Sequence, residues 1–76
     1  MAKLPVLSAR KILRALEAAG FSVVRQRGSH IRLNGAWGGR PRIVIVPNHP
    51  EVAPGTLQSI LRQAVWTKED LISHLR

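Results

Sequence analysis

The chain has 76 residues, 45% of them hydrophobic, which suffices for one modest core and leaves no room for separate binding and catalytic modules; a single domain over residues 1–76 is expected. It has no cysteine, which excludes disulfide staples, thiolate metal sites and a thiol nucleophile and makes a reducing cytoplasm the expected compartment. Twelve Lys and Arg against four Asp and Glu give a net charge of +8, pointing to a polyanionic partner, most often nucleic acid.

In chain order, Ser8 followed by Ala9, Ile12, Leu13, Leu16 and Ala19, with Gly20 after them, predicts a capped amphipathic helix whose wet side carries Arg10, Lys11 and Arg14. Phe21 to Arg27 is β-prone, and Gly28-Ser29 marks a tight turn into His30-Ile31-Arg32-Leu33. If Ile31 and Leu33 face the core, a period of two gathers His30, Arg32 and Asn34 on the opposite face. The segment Asn34 to Pro41 holds three glycines and a proline around Trp37, which predicts a flexible hairpin loop longer than two residues. Ile43 to Val46 is apolar at consecutive positions, the pattern of a strand covered on much of both faces, and is placed in or near the sheet centre. It is also the longest apolar run, too short to cross a membrane, and the N-terminus lacks a signal-peptide stretch, so a soluble protein with no membrane partner is expected.

After a loop from Asn48 to Pro54, Leu57, Ile60, Leu61 and Ala64 recur at helical spacing, and Thr67 to Asp70 fits a capping box ahead of Leu71, Ile72 and Leu75. The fold class is therefore α+β, in the order α-β-β-β-α with a short extra C-terminal helix. Helices that each own one apolar stripe must cover the same face of a three-stranded antiparallel sheet. The other face is left open, carrying His30 and Arg32 close to Arg25, Arg27 and Arg42 of the neighbouring strands.

The charge is unevenly spread. Through Val46 there are nine cations (Lys3, Arg10, Lys11, Arg14, Arg25, Arg27, Arg32, Arg40 and Arg42) and a single acid, Glu17. From Pro47 onward Arg62, Lys68 and Arg76 balance Glu51, Glu69 and Asp70. Nine of the twelve cations are arginine, whose planar fork suits phosphate.

Three segments, in this order and spacing, resemble a known family: the helix end running into Gly20-Phe21, the stretch Val24-Arg25-Gln26-Arg27-Gly28-Ser29-His30, and Pro47-Asn48-His49 continuing to Gly55-Thr56-Leu57 and Ser59-Ile60-Leu61. Together they resemble the HicA-type mRNA interferase toxins of bacterial type II toxin–antitoxin pairs. The resemblance implies a fold like the double-stranded-RNA-binding domain, cleavage of single-stranded or structured mRNA with inhibition of translation, and a cognate HicB-type antitoxin covering the active face. It aligns the family's catalytic histidine with His30. The Gly-rich segment around Trp37 departs from the shorter, more polar connection of many members.

RNA carries its own nucleophile, the 2′-hydroxyl, so a base and donors for the crowded phosphorane oxygens suffice without metal or cofactor. A neutral imidazole suits the base, since its ordinary pKa is about 6.5. Arg25, Arg27, Arg32 and Arg42 are the expected RNA contacts, and Ser29 could donate to phosphate. Gly28 is explained by the turn alone, though the turn also sets where His30 points. His49 is either a turn residue or an auxiliary in proton transfer. Trp37 either stacks on an unpaired base or packs against Trp66 or the antitoxin. His74 reads as a cation at a helix C-terminus. The three histidines lack ligand-like spacing, so no metal site is expected. The alternative of another class is a non-catalytic RNA-binding module of the same fold. A DNA-binding protein is disfavoured, because the most basic helix also supplies core.

Overall fold

The computed structural model describes residues 6–75. Their order is α1 (Ala9–Ala18), β1 (Ser22–Arg27), β2 (His30–Trp37), β3 (Arg40–Pro47), α2 (Pro54–Ala64) and α3 (Lys68–Ser73), as the sequence pattern predicts. α1 starts at Ser8, whose hydroxyl accepts the Lys11 N–H at 3.2 Å. It stops in a Schellman closure: Gly20, at φ +102, sends its N–H to the Glu17 carbonyl while the Phe21 N–H reaches Leu16, both at 3.0 Å. Its buried stripe is Ala9, Ile12, Ala15 and Leu16.

The three strands form one antiparallel sheet in the order β1-β2-β3. One face holds the buried Ile31 and Leu33 of β2 and Val44 and Val46 of β3. These join the α1 stripe, Leu57, Ile60, Leu61 and Ala64 of α2, and Leu71 of α3 in a single core cluster. All three helices therefore contribute to the same side of the sheet, and the opposite face meets solvent.

Two expectations are corrected. The strand from Arg40 to Pro47 is an edge, and β2 is the centre. Its apolar run is buried on one face only, with Val44 and Val46 fully enclosed while Ile43 is 50% exposed and Ile45 half-buried. A row of consecutive apolar residues looks doubly covered, but among the described residues no element covers the second face. One outward N–H of the free edge is instead taken by a side chain: Gln63 of α2 accepts the Ile45 N–H at 2.9 Å.

The flexible loop expected between Asn34 and Pro41 is also absent. The β2–β3 ladder continues to the pair Trp37 and Arg40, leaving only Gly38-Gly39 as a turn. Their φ values of +63 and +76 are those of a type I′ hairpin, which two glycines adopt without strain. Gly35 stays inside the strand because the Phe21 ring lies on it; a Cβ there would stand 2.6 Å from that ring.

After β3 the chain is pinned at several points. Asn48 N–H donates to the Ser29 carbonyl at 2.6 Å, Ala9 N–H to His49 at 3.0 Å, and Val52 N–H to Leu7 at 2.8 Å. α3 has the anticipated capping box, with reciprocal Thr67 and Asp70 bonds of 3.1 and 2.8 Å. Among the described residues no helix is long and apolar enough to cross a membrane.

Candidate functional site

The open face is best read row by row, since residues directly opposite in an antiparallel ladder point the same way. The first row is Arg27, His30 and Pro47; the second is Arg25, Arg32 and Ile45; the third is Ser22, Asn34 and Ile43. His30 thus opens the central strand with Arg27 on one flank and the Arg25–Arg32 pair in the adjacent row. Every β1 residue is exposed, as is His30, while Arg32 is half-buried and sends its Nε toward Asn34 Oδ1 at 3.4 Å. A bulge at Val24 separates the upper pairing from Arg25 and brings the two arginines into line with β2.

The strands contain no acid. Glu17 lies on α1, Glu51 in the loop before α2, and Glu69 and Asp70 on α3. Arg25 and Arg32 are directly opposed like charges, which cost a sheet stability rather than add to it. Such a pair suits a surface that meets anions.

Local backbone structure sets the position of His30. Gly28 at φ +58 makes the β1–β2 turn, Gln26 Nε2 donates to the Gly28 carbonyl at 3.3 Å, and the Asn48 bond to Ser29 ties the turn to the end of β3. His49 follows two residues after Pro47, the partner of His30, so the chain leaves β3 beside the His30 row. The His49 side chain is exposed, and its backbone joins the loop to the start of α1.

Two anticipated contacts lie elsewhere. Arg42 pairs with Gly35, so it points to the helix side, where its Nε donates to the Trp37 carbonyl at 3.2 Å. Trp37 is on the same side and half-buried, 5.4 Å edge-on from Trp66, which is the packing alternative among those weighed from sequence. His74 caps the C-terminus of α3 as its type suggests, with Nδ1 2.7 Å from the Asp70 carbonyl, and it also stacks on Trp66 at 5.0 Å. That stacking has no local sequence signal, because Trp37, Trp66 and His74 come together only through the tertiary fold. The apolar side of the open face, Ile43 and Ile45, was likewise hidden within an apolar run.

A hollow of about 180 Å³ lined by Leu7, Lys11, Arg14, His74 and Leu75 lies in the helix layer and includes none of the sheet residues. The candidate site on the sheet is an open, cation-bearing surface, separate from this hollow.

No curated protein gives a significant match to the chain. Residues 9–66 match the family described as HicA toxin of bacterial toxin–antitoxin, a span that runs from the first residue of α1 through the whole sheet to Trp66 and leaves out α3. With most of its length matched, including the turn and strand that present His30, the chain belongs to the HicA toxin family of bacterial toxin–antitoxin systems.

Proposed function

We propose that this toxin is a metal-independent endoribonuclease that holds mRNA along the arginine-bearing side of the open sheet face and cleaves it with His30 as general base, halting translation. The observation that carries this is the placement of an exposed histidine among Arg25, Arg27 and Arg32 on strands without a carboxylate. His30 removes the 2′-hydroxyl proton, the 2′-oxygen bonds to the adjacent phosphorus, and the bond to the 5′-oxygen breaks. The products are a 2′,3′-cyclic phosphate and a 5′-hydroxyl. The arginines neutralise the phosphorane oxygens and remain protonated throughout, so they do not protonate the leaving oxygen. That proton comes from the His30 imidazolium, from His49 or from water. In this scheme Ser29, at the turn before His30, donates to a neighbouring phosphate. Arg42 and Trp37, on the helix side, take no part in this scheme.

Family membership supports a protein partner that neutralises the toxin, and a HicB-type antitoxin covering this face in the cytoplasm is the partner we propose. The test is incubation of purified toxin and His30→Ala with end-labelled RNA in excess EDTA, reading fragment length and end chemistry. Cleavage by the parent alone, leaving cyclic or 3′-phosphate ends, is expected. If neither cuts and both bind RNA equally, the chain is an RNA-binding module.

A further inference from the structure

The open face is divided lengthwise. On the β1 and central side stand Arg25, Arg27, His30 and Arg32; on the β3 side the register places Pro41, Ile43, Ile45 and Pro47, all apolar. Ile43 is half exposed, and among the described residues no helix reaches this side of the sheet. We infer that the β3 stripe is the seat of the protein that neutralises the toxin, whereas RNA requires only the arginine side. The inference rests on the reading that RNA lies over the arginine rows.

The stripe is poorly suited to nucleotides. Single-stranded nucleic acid is held by cations together with aromatic rings on which bases stack. Here Phe21, Trp37 and Trp66 form one edge-to-face cluster on the helix side, so the open face offers no phenyl or indole ring, and its one imidazole, His30, stands among the arginines rather than on the β3 stripe. Branched aliphatic and proline side chains beside a row of arginines instead have the make-up of a protein interface, with an apolar centre and a charged rim. The rim's charged side chains are all cations, so the partner must bring carboxylates to Arg25, Arg27 and Arg32 and an aliphatic ridge to Ile43 and Ile45. Such a partner occupies the arginines while gaining affinity from a stripe that RNA does not use. Neutralisation then follows from competition, without any change of shape in the toxin.

The test is the double substitution Ile43→Thr with Ile45→Thr, which keeps the β-branched side chains that strands favour. Affinity for the cognate antitoxin is measured by calorimetry in the His30→Ala background, so it does not depend on whether the toxin cuts RNA. The expected result is a weakening of about tenfold or more, with RNA binding and, in the His30 parent, cleavage within about twofold, and loss of growth rescue on co-expression. Ile72→Thr, on α3 and exposed to nearly the same degree as Ile43, serves as the control and should leave all readouts unchanged. Unchanged antitoxin affinity overturns the inference, as does a parallel loss of RNA binding, which would make the stripe a substrate contact. If the double variant does not fold, Ile43→Thr alone, at the more exposed position, decides by the same readouts. Should the parent fail to cut RNA at all, the ribonuclease reading falls while the calorimetric result still stands.

Discussion

Arg25 and Arg32 face each other across the β1–β2 ladder, where like charges oppose folding. Arg25→Ala should therefore raise stability slightly, by about 0.2–1 kcal/mol, while weakening RNA binding. Thermal melting and RNA titration of the same sample check both signs, and a fall in both would mean that Arg25 packs rather than waits for phosphate. His30→Ala should behave differently, with cleavage falling roughly 100-fold or more while affinity stays within about twofold. The reason is that arginines carry most of the attraction to the backbone. At this scale the sequence was informative wherever parity could be read. Ile31 and Leu33 alternate with His30, Arg32 and Asn34, so a core face on one side places the others together. Arg42 precedes four apolar residues in a row, where either parity is consistent, and only pairing with Gly35 shows that it points to the helices.

The elements themselves depend on a few backbone positions. Gly35→Ala would push a methyl group into the Phe21 ring and toward its Cα, 2.9 Å away, so a loss of about 1–3 kcal/mol is expected. In a chain of this size that lowers Tm by at least about 4 °C. An unchanged Tm would show that the ring moves aside freely. Thr67→Ala removes one side of the α3 capping box at a cost of about 1 kcal/mol. Because His74 at the end of that helix stacks on Trp66, tryptophan fluorescence should report the loosening directly. The helices were legible because their stripes repeat and their caps have chemical signatures. The second hairpin was not, since three glycines around Trp37 look like slack chain until Phe21, fourteen positions before Gly35, is seen lying on one of them. Likewise the position of β3 depends on what covers its outer face, a property of the assembled sheet rather than of the strand.

For the molecule as a whole, the charge makes a quantitative prediction. Three open-face arginines displacing counterions from single-stranded RNA should give a slope of about −2 in log affinity against log salt. Replacing any one of them should flatten it by roughly 0.7. Filter binding at several ionic strengths measures this, and a flat response would remove the electrostatic basis of the site. The helix-side Arg42→Ala should leave the slope unaltered, which separates geometry from net charge.

Gln63 occupies the place of a missing fourth strand, taking the outward N–H of Ile45. On the other border of the sheet the outermost strand carries a kink at Val24 followed by two positive charges. A second molecule approaching that border edge to edge would set Arg25 and Arg27 against their own copies. Both borders thus carry features that disfavour edge-to-edge association: one outward N–H is taken by a side chain on the first, and like charges would face each other on the second.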